Sequence, residues 1–131
     1  MRESIKREIK SFVIDKIFRG YDDLVDNRYY EEHIVDTSKF VFEGEEYIGY
    51  EGFSRWFDNV KSLVKPTMVH NISNFDIRFI AENKYKVDFE VEFKAELNDG
   101  TKVHDFVRES WVLNHIDDTF VFESYLTEKI R

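Results

Sequence analysis

The sequence contains no cysteine, one proline and five glycines among its 131 residues. The lack of cysteine excludes disulfides and thiolate chemistry and is compatible with a reducing compartment, so we expect a cytoplasmic protein. The single proline is Pro66, and no low-complexity linker interrupts the chain. We therefore predict one domain over residues 1–131, a length that suits a single hydrophobic core.

The sequence also lacks clustered lysine and arginine, long apolar runs and metal-binding motifs. Its net charge is -8, so we do not expect a nucleic-acid partner. No apolar run is long enough to cross a membrane, and the charged N-terminus has no signal-peptide core, so no membrane partner is expected. The four histidines do not have the spacing of metal ligands, and no glycine-rich phosphate loop is present. We expect no metal and no cofactor.

Aromatic residues are abundant, with 13 Phe, 7 Tyr and 2 Trp making up 17% of the chain. Such bulky, rigid side chains form either a thick core or the walls of a cavity. Composition alone does not distinguish these two arrangements.

The first half of the chain has the apolar spacing of helices. Residues 3–26 carry apolar side chains on one stripe, which predicts the first helix. The stretch "DNRYYEEHIVD" predicts a short second helix with Asp26 or Asn27 as its N-cap. A short strand, "SKFVFEG", follows. The stretch "YEGFSRWFDNVKSLV" predicts a third helix, which Pro66 keeps from continuing.

The second half of the chain reads as β-structure. Residues 85–97 alternate between apolar and charged side chains, which predicts a long antiparallel strand with one covered face. Further strands are predicted at 68–79, 102–114 and 119–126, joined by short turns. Helices followed by consecutive strands indicate the α+β class. We predict three N-terminal helices packed on a curved, mainly antiparallel sheet, forming a cone-shaped α+β barrel whose open mouth suits a ligand.

The stretch "MVHNISNFDIRF" changes the parity of its apolar positions. Even positions are inward up to Ile72, and odd positions are inward from Phe75 onward. One extra residue near Ser73–Asn74, a β-bulge, would place all of them on the same face. The bulge also turns His70 toward that apolar face.

Several motifs resemble the SnoaL-like branch of the nuclear-transport-factor-2-like superfamily, which has a cystatin-like α+β barrel fold. They are "YDDLVDNRYYEEHIVDTSKFVF", "YIGYEGFSRWF" with Gly49, Gly52 and Phe53, and "HNISNFDI" with His70 and Asn74. Together they span nearly the whole chain. The closest pattern is that of dehydratases similar to scytalone dehydratase and bile-acid dehydratases, in which a helix Tyr, an Asp and a strand His surround the substrate.

The resemblance implies catalytic roles for Tyr21, Asp26 and His70. For each residue a simpler structural interpretation is open. His70 could be a core histidine that is hydrogen-bonded to a carbonyl or to Asp26, Tyr21 could be a core aromatic, and Asp26 could be only a helix cap. The further acid or histidine that these dehydratases carry in the middle of strand 85–97 is replaced here by apolar residues.

The ketosteroid isomerases of the superfamily carry a base and a protonated Asp on two strands. By approximate alignment these positions are Phe42 and Ser110 in this chain. Glu43 and Glu109 are one residue away and are expected to point to the other side of the sheet. The isomerase constellation is therefore not expected.

The inward face of strand 102–114 is open from the residues alone, because neither parity is cleanly apolar. The resemblance favours the parity that turns Arg108 and Ser110 into the pocket, although a solvated Arg108 is an equal alternative. The aromatic residues expected to line the pocket are Phe40, Phe42, Trp56, Phe75, Phe89 and Phe93.

Two functional interpretations follow. In the first, the protein binds a small apolar or aromatic ligand and carries out cofactor-free dehydration, isomerisation or cyclisation by proton transfer. In the second, it is a non-catalytic ligand-binding or dimerisation module of the same fold. In both we expect a homodimer formed through the outer face of the sheet. There, the residues of strand 102–114 that alternate with Arg108 and Ser110 would expose an apolar patch. Its expected residues are Val107, Trp111, Leu113, Val121 and Tyr125.

Overall fold

The computed structural model of the protein describes residues 2–131. The first helix runs through α1 (Glu3–Ser11), a π-helical segment (Phe12–Phe18) and α2 (Arg19–Asp22). A 3₁₀ segment follows at Asn27–His33, and α3 spans Gly49–Leu63. The three helical regions were predicted, but the first ends at Asp22 and not at residue 26. Leu24 takes a positive φ of 48°, which ends the helical path.

Six strands form one sheet. They are β1 (Ile34–Phe42), β2 (Glu45–Ile48), β3 (Val69–Ala81), β4 (Lys84–Glu96), β5 (Lys102–Ile116) and β6 (Thr119–Lys129). Their order across the sheet is β2-β1-β6-β5-β4-β3. The predicted antiparallel meander of the last four strands is confirmed. The sequence did not predict β2 or the parallel pairing of β1 with β6.

The helices pack on one face of this curved sheet, which gives the predicted α+β architecture. The largest fully buried side chains include Tyr30, Phe53, Phe57, Trp111 and Tyr125. None of the helices in residues 2–131 is long and apolar enough to cross a membrane. One layer of helices and one sheet therefore enclose an aromatic core, and the site described below opens from it.

The predicted bulge in β3 is confirmed. Its pairing with β4 shifts between Ser73 and Asp76, and Asn74 has a φ of 55°. His70 pairs with Phe93, and Ile72 pairs with Val91, so both precede the shift. The bulge keeps His70 on the concave face of the sheet, as the parity argument required.

The predicted inward parity of β5 is wrong. Glu109, Trp111 and Leu113 are buried, whereas Arg108 is exposed. Because alternate side chains of a strand point to opposite faces, Arg108 and Ser110 lie on the outer face of the sheet. The large indole of Trp111 decides the parity, because it packs between Phe18, Phe89, Phe122 and Tyr125.

Four of the five residues from which we inferred an apolar outer face lie on the inner face, and only Val121, which pairs with Asn114, is on the outer one. Trp111, Leu113 and Tyr125 belong to the core, and Val107 faces the same side as they do. Val121 pairs with Asn114 and lies outside the main core cluster. The homodimer remains a prediction, but these residues no longer supply its motivation.

Candidate functional site

A cavity of about 580 Å³ lies between the helices and the concave face of the sheet. Its closed end is formed by the buried residues Tyr21, Glu109 and Tyr125. Its mouth is lined by exposed residues that include Glu43 and Leu63. A concave, mainly apolar cavity with a few polar groups is the usual form of a small-molecule site.

His70 forms part of the cavity wall. Its Nδ1 lies 2.6 Å from Oδ1 of Asp22, the last residue of α2. The His70 side chain is 10% exposed, and the ring centroids of Phe18 and Phe93 lie 5.0 and 4.9 Å from its own. Because the Asp22 carboxylate holds Nδ1, Nε2 is the ring nitrogen available to exchange a proton with a ligand. Two elements, the first helix and β3, position this pair.

A buried polar chain forms the closed end of the cavity. The hydroxyl oxygens of Tyr21 and Tyr125 are 3.4 Å apart. Tyr125 also shares a hydrogen bond with Glu109, and Trp111 donates its Nε1–H to Glu109 Oε1 at 3.1 Å. The ring centroids of Tyr21 and His70 are 6.1 Å apart. Tyr21 thus connects the Glu109 carboxyl group with the neighbourhood of His70.

Burial changes the acidity of this chain. Desolvation raises the pKa of Glu109 to about 7, although hydrogen bonds from Trp111 and Tyr125 oppose the increase. Desolvation also raises the pKa of Tyr21 and Tyr125 above the ordinary phenol value. Both tyrosines therefore keep their protons at neutral pH, and Glu109 exchanges its proton near neutrality.

No lysine or arginine lines this cavity within residues 2–131. Its walls carry the carboxyl groups of Glu43, Glu45, Asp105 and Glu109. Lys129 contacts Asp105 at 3.2 Å, but it does not line the cavity. Among the described residues of this lining, acidic side chains therefore outnumber basic ones.

Five of the predicted site residues line the cavity. Tyr21 and His70 do so, together with Phe42, Trp56 and Phe93. Phe42 and Trp56 stack with their ring centroids 3.8 Å apart and an interplanar angle of 11°. This stacked pair forms a flat apolar wall suited to a planar ligand.

Asp26 does not belong to the cavity, contrary to the prediction. Its side chain is 64% exposed and accepts a hydrogen bond from the backbone N–H of Arg28 at 2.9 Å. The Arg28 guanidinium and that N–H hold the pKa of Asp26 below its usual value. Asp26 is therefore a helix cap, the simpler interpretation, and Asp22 is the carboxylate that meets His70.

Five predicted ligand-binding residues also lie outside the cavity lining. Phe40 and Phe89 are fully buried in the core, and Phe75 stacks on Phe89 with its ring centroid 5.3 Å away. Arg108 and Ser110 lie on the outer face of the sheet. Phe40, Phe75 and Phe89 face inward as predicted, but they pack in or against the core and do not line the cavity.

The sequence interpretation missed Asp22 and Glu109. Asp22 is adjacent to Tyr21, but the family resemblance pointed to Asp26. Glu109 has the same strand parity as Val107, Trp111 and Leu113, and this apolar set was the available signal for its inward direction. Giving that set precedence over the approximate family alignment would have placed Glu109 inside.

A second, shallower depression of about 720 Å³ lies beside the first helix, and half of its lining residues carry charged side chains. His33 is its one buried titratable residue, and His33 Nδ1 lies 2.8 Å from the carbonyl oxygen of Phe120. Desolvation lowers the pKa of His33. This histidine is bound to the backbone, so we place the candidate site in the 580 Å³ cavity.

Comparison with known proteins gives the fold. No protein-family model and no curated protein matches this sequence. Solved structures match it over nearly its full length. One is a candidate aromatic ring hydroxylase from Novosphingobium aromaticivorans, with a TM-score of 0.87, 14% identity, and coverage of 100% of this chain and 93% of the other.

Two further structures are similar. A candidate scytalone dehydratase from the same organism has a TM-score of 0.85 and 12% identity, with 98% of this chain and 85% of the other covered. A hexachlorocyclohexane dehydrochlorinase of type 2 has a TM-score of 0.79 and 15% identity, with 98% and 90% covered. At such identities the likeness shows the fold alone. This chain has the cystatin-like α+β fold of the nuclear-transport-factor-2-like proteins.

Proposed function

We propose that the protein is a cofactor-independent acid–base enzyme, a lyase or isomerase, that acts on a small apolar or aromatic ligand in the cavity. The observation that carries the proposal is His70 on the cavity wall, with its Nδ1 2.6 Å from Oδ1 of Asp22. A carboxylate on one ring nitrogen fixes the tautomer and stabilises the imidazolium that forms when the other nitrogen takes a proton.

The surroundings of the pair support the same chemistry. The aromatic walls bind an apolar body, and the stacked rings of Phe42 and Trp56 suit a planar group. His70 would take a proton from carbon or oxygen of the ligand, and Asp22 would orient the ring. The names of two similar structures, a candidate dehydratase and a dehydrochlorinase, belong to proton-removing reactions and agree with this proposal.

Proton removal can be measured without knowledge of the natural substrate. The probe is 4-phenylbutan-2-one in deuterated water, with exchange of its α-protons followed by NMR. We expect wild-type protein to accelerate the exchange, and His70→Asn to lower the accelerated rate by about 10²- to 10⁴-fold, the usual contribution of acid–base catalysis. Asp22→Asn should lower the rate by less, because the imidazole remains.

The matched control is His104→Asn. His104 also contacts a carboxylate, Glu92, at 2.8 Å, but it is exposed and lies outside the cavity. Its replacement should leave the exchange rate unchanged. Equal rates for wild type and His70→Asn, with the probe shown by NMR to occupy the cavity, would instead favour the non-catalytic binding module.

A further inference from the structure

We propose that Glu109 donates a proton to a departing hydroxyl group, so that the reaction in this cavity is the removal of water from a neutral hydroxy compound. This inference rests on the proposed function, because it takes His70 as the group that accepts the first proton. It adds a second catalytic residue and names the class of substrate.

The strand register separates the two groups along the cavity. His70 pairs with Phe93, which in turn pairs with Asp105 on β5. Glu109 lies four residues farther along β5, at the closed end. A ligand that fills the cavity therefore has His70 at its side and Glu109 at its inner end.

The charges of the lining restrict the leaving group. An elimination places negative charge on the group that departs, and a cation or a proton donor must compensate it. No lysine or arginine lines the cavity in residues 2–131, and Asp105 and Glu109 supply carboxyl groups. A departing anion such as chloride would find no lysine or arginine in this lining to stabilise it, whereas a protonated hydroxyl group leaves as neutral water.

Glu109 is the acid best placed to supply that proton. It is 6% exposed, lines the cavity, and keeps its proton in part at neutral pH because burial raises its pKa to about 7. The titratable groups that face this part of the cavity are Tyr21 from the first helix, Tyr125 from β6, His70 from β3 and Asp105 on the same strand. The two phenols remain neutral, so they pass a proton along the chain without storing charge.

His70 Nε2 takes the proton from the carbon next to the one that bears the hydroxyl group. The electrons of that C–H bond form the C=C bond, and the C–O bond breaks. Tyr21, whose ring lies beside His70, gives its hydroxyl proton to the departing oxygen, the proton of Glu109 replaces it through Tyr125, and water leaves. His70 then loses its proton to solvent and Glu109 regains one, so no oxidant or reductant is needed.

The test compares two compounds that give the same product. They are 4-hydroxy-4-phenylbutan-2-one and 4-chloro-4-phenylbutan-2-one, both of which yield 4-phenylbut-3-en-2-one, and the rate without protein is subtracted. We expect Glu109→Gln to lower the elimination of water by about 10²- to 10⁴-fold. It should change the elimination of chloride by less than about threefold, because a halide needs no proton. His70→Asn should lower both rates.

Glu109→Gln keeps the size of the side chain and an oxygen that accepts from Trp111, so the fold should be retained. Glu128→Gln on β6 is the matched control, because it makes the same chemical change at an exposed residue outside the cavity lining. A second readout needs no substrate. Infrared spectra of the wild type should show a protonated carboxyl band that fades as the pH rises through about 7 and is missing in Glu109→Gln.

Each outcome separates this inference from the proposed function. If Glu109→Gln leaves both eliminations unchanged while His70→Asn lowers them, the role of Glu109 is wrong and the proposed function stands. A carboxyl group that is already ionised well below neutral pH would also overturn this role. If the wild type converts neither compound, this dehydration chemistry is excluded, and only the α-proton exchange test bears on the proposed function.

Discussion

At the scale of the residue, Glu109 is a buried carboxyl group whose ionisation is unfavourable in the folded protein. Its pKa in the folded protein is about 7, above the ordinary value of 4.5, so the folded state binds this proton more tightly than the unfolded chain does. This tighter proton binding stabilises the folded state fully below about pH 4.5, and the stabilisation is lost as the pH rises through 7. An increase in pKa of this size corresponds to a change of roughly 3 kcal/mol in the free energy of unfolding.

We therefore expect Glu109→Gln to raise the free energy of unfolding above pH 7 by up to roughly 3 kcal/mol, since no charge then remains buried. Near pH 4.5 the variant and the wild type should differ little. Urea denaturation at both pH values measures the difference, with Glu128→Gln as the control. A gain that is the same at both pH values would show that ionisation of Glu109 is not its cause.

At the scale of the element, the bulge in β3 determines where His70 points. Asn74 has a φ of 55° at the bulge, and its amide is hydrogen-bonded to Glu90 on β4. Asn tolerates this left-handed conformation better than most residues, because its short side chain can hydrogen-bond locally. The bulge thus couples a backbone preference at Asn74 to the placement of His70 on the cavity wall.

Asn74→Val should destabilise the protein by about 1–2 kcal/mol, because a β-branched residue is strained at positive φ. Asn74→Gly is the matched control, since it also loses the amide but adopts this φ freely. Thermal unfolding of the two variants gives the comparison. Equal destabilisation by Val and Gly would assign the loss to the hydrogen bond with Glu90 and not to the backbone.

At the scale of the whole molecule, the homodimer is still a prediction. We propose that it forms through the outer face of the sheet, although not through the residues first expected there. Val41 pairs with Leu126, and Leu126 pairs with Ser110, so these side chains share the outer face near Val112. Leu126 is 44% exposed. The charged residues of β4 lie beside this small apolar centre.

We expect Leu126→Arg to convert a dimer into a monomer, because it places a charge at the centre of a self-complementary face. Sedimentation velocity at micromolar concentration measures the mass of each form. Phe79→Arg, at an exposed residue near the end of β3, is the control and should leave the mass unchanged. A monomeric wild type would contradict the proposal directly.

The sequence by itself determined the elements and much of their order. Apolar spacing gave the helices, alternation gave the four-strand meander, and the parity change gave the bulge, because each is a local periodicity of the backbone. The sequence also identified Tyr21 and His70 as facing a pocket. It did not reveal β2 or the parallel pairing of β1 with β6, since pairing between distant segments leaves no local pattern.

Only the tertiary structure decided which polar groups meet. Asp22 and His70 are 48 residues apart in sequence, and their contact depends on where the first helix ends and how it crosses β3. The direction of Glu109 depends on the packing of Trp111 against helix and strands. Its raised pKa depends on burial from several elements at once. A local pattern fixes which way a side chain points within its own element, whereas charge, burial and partners come from elements distant in the chain.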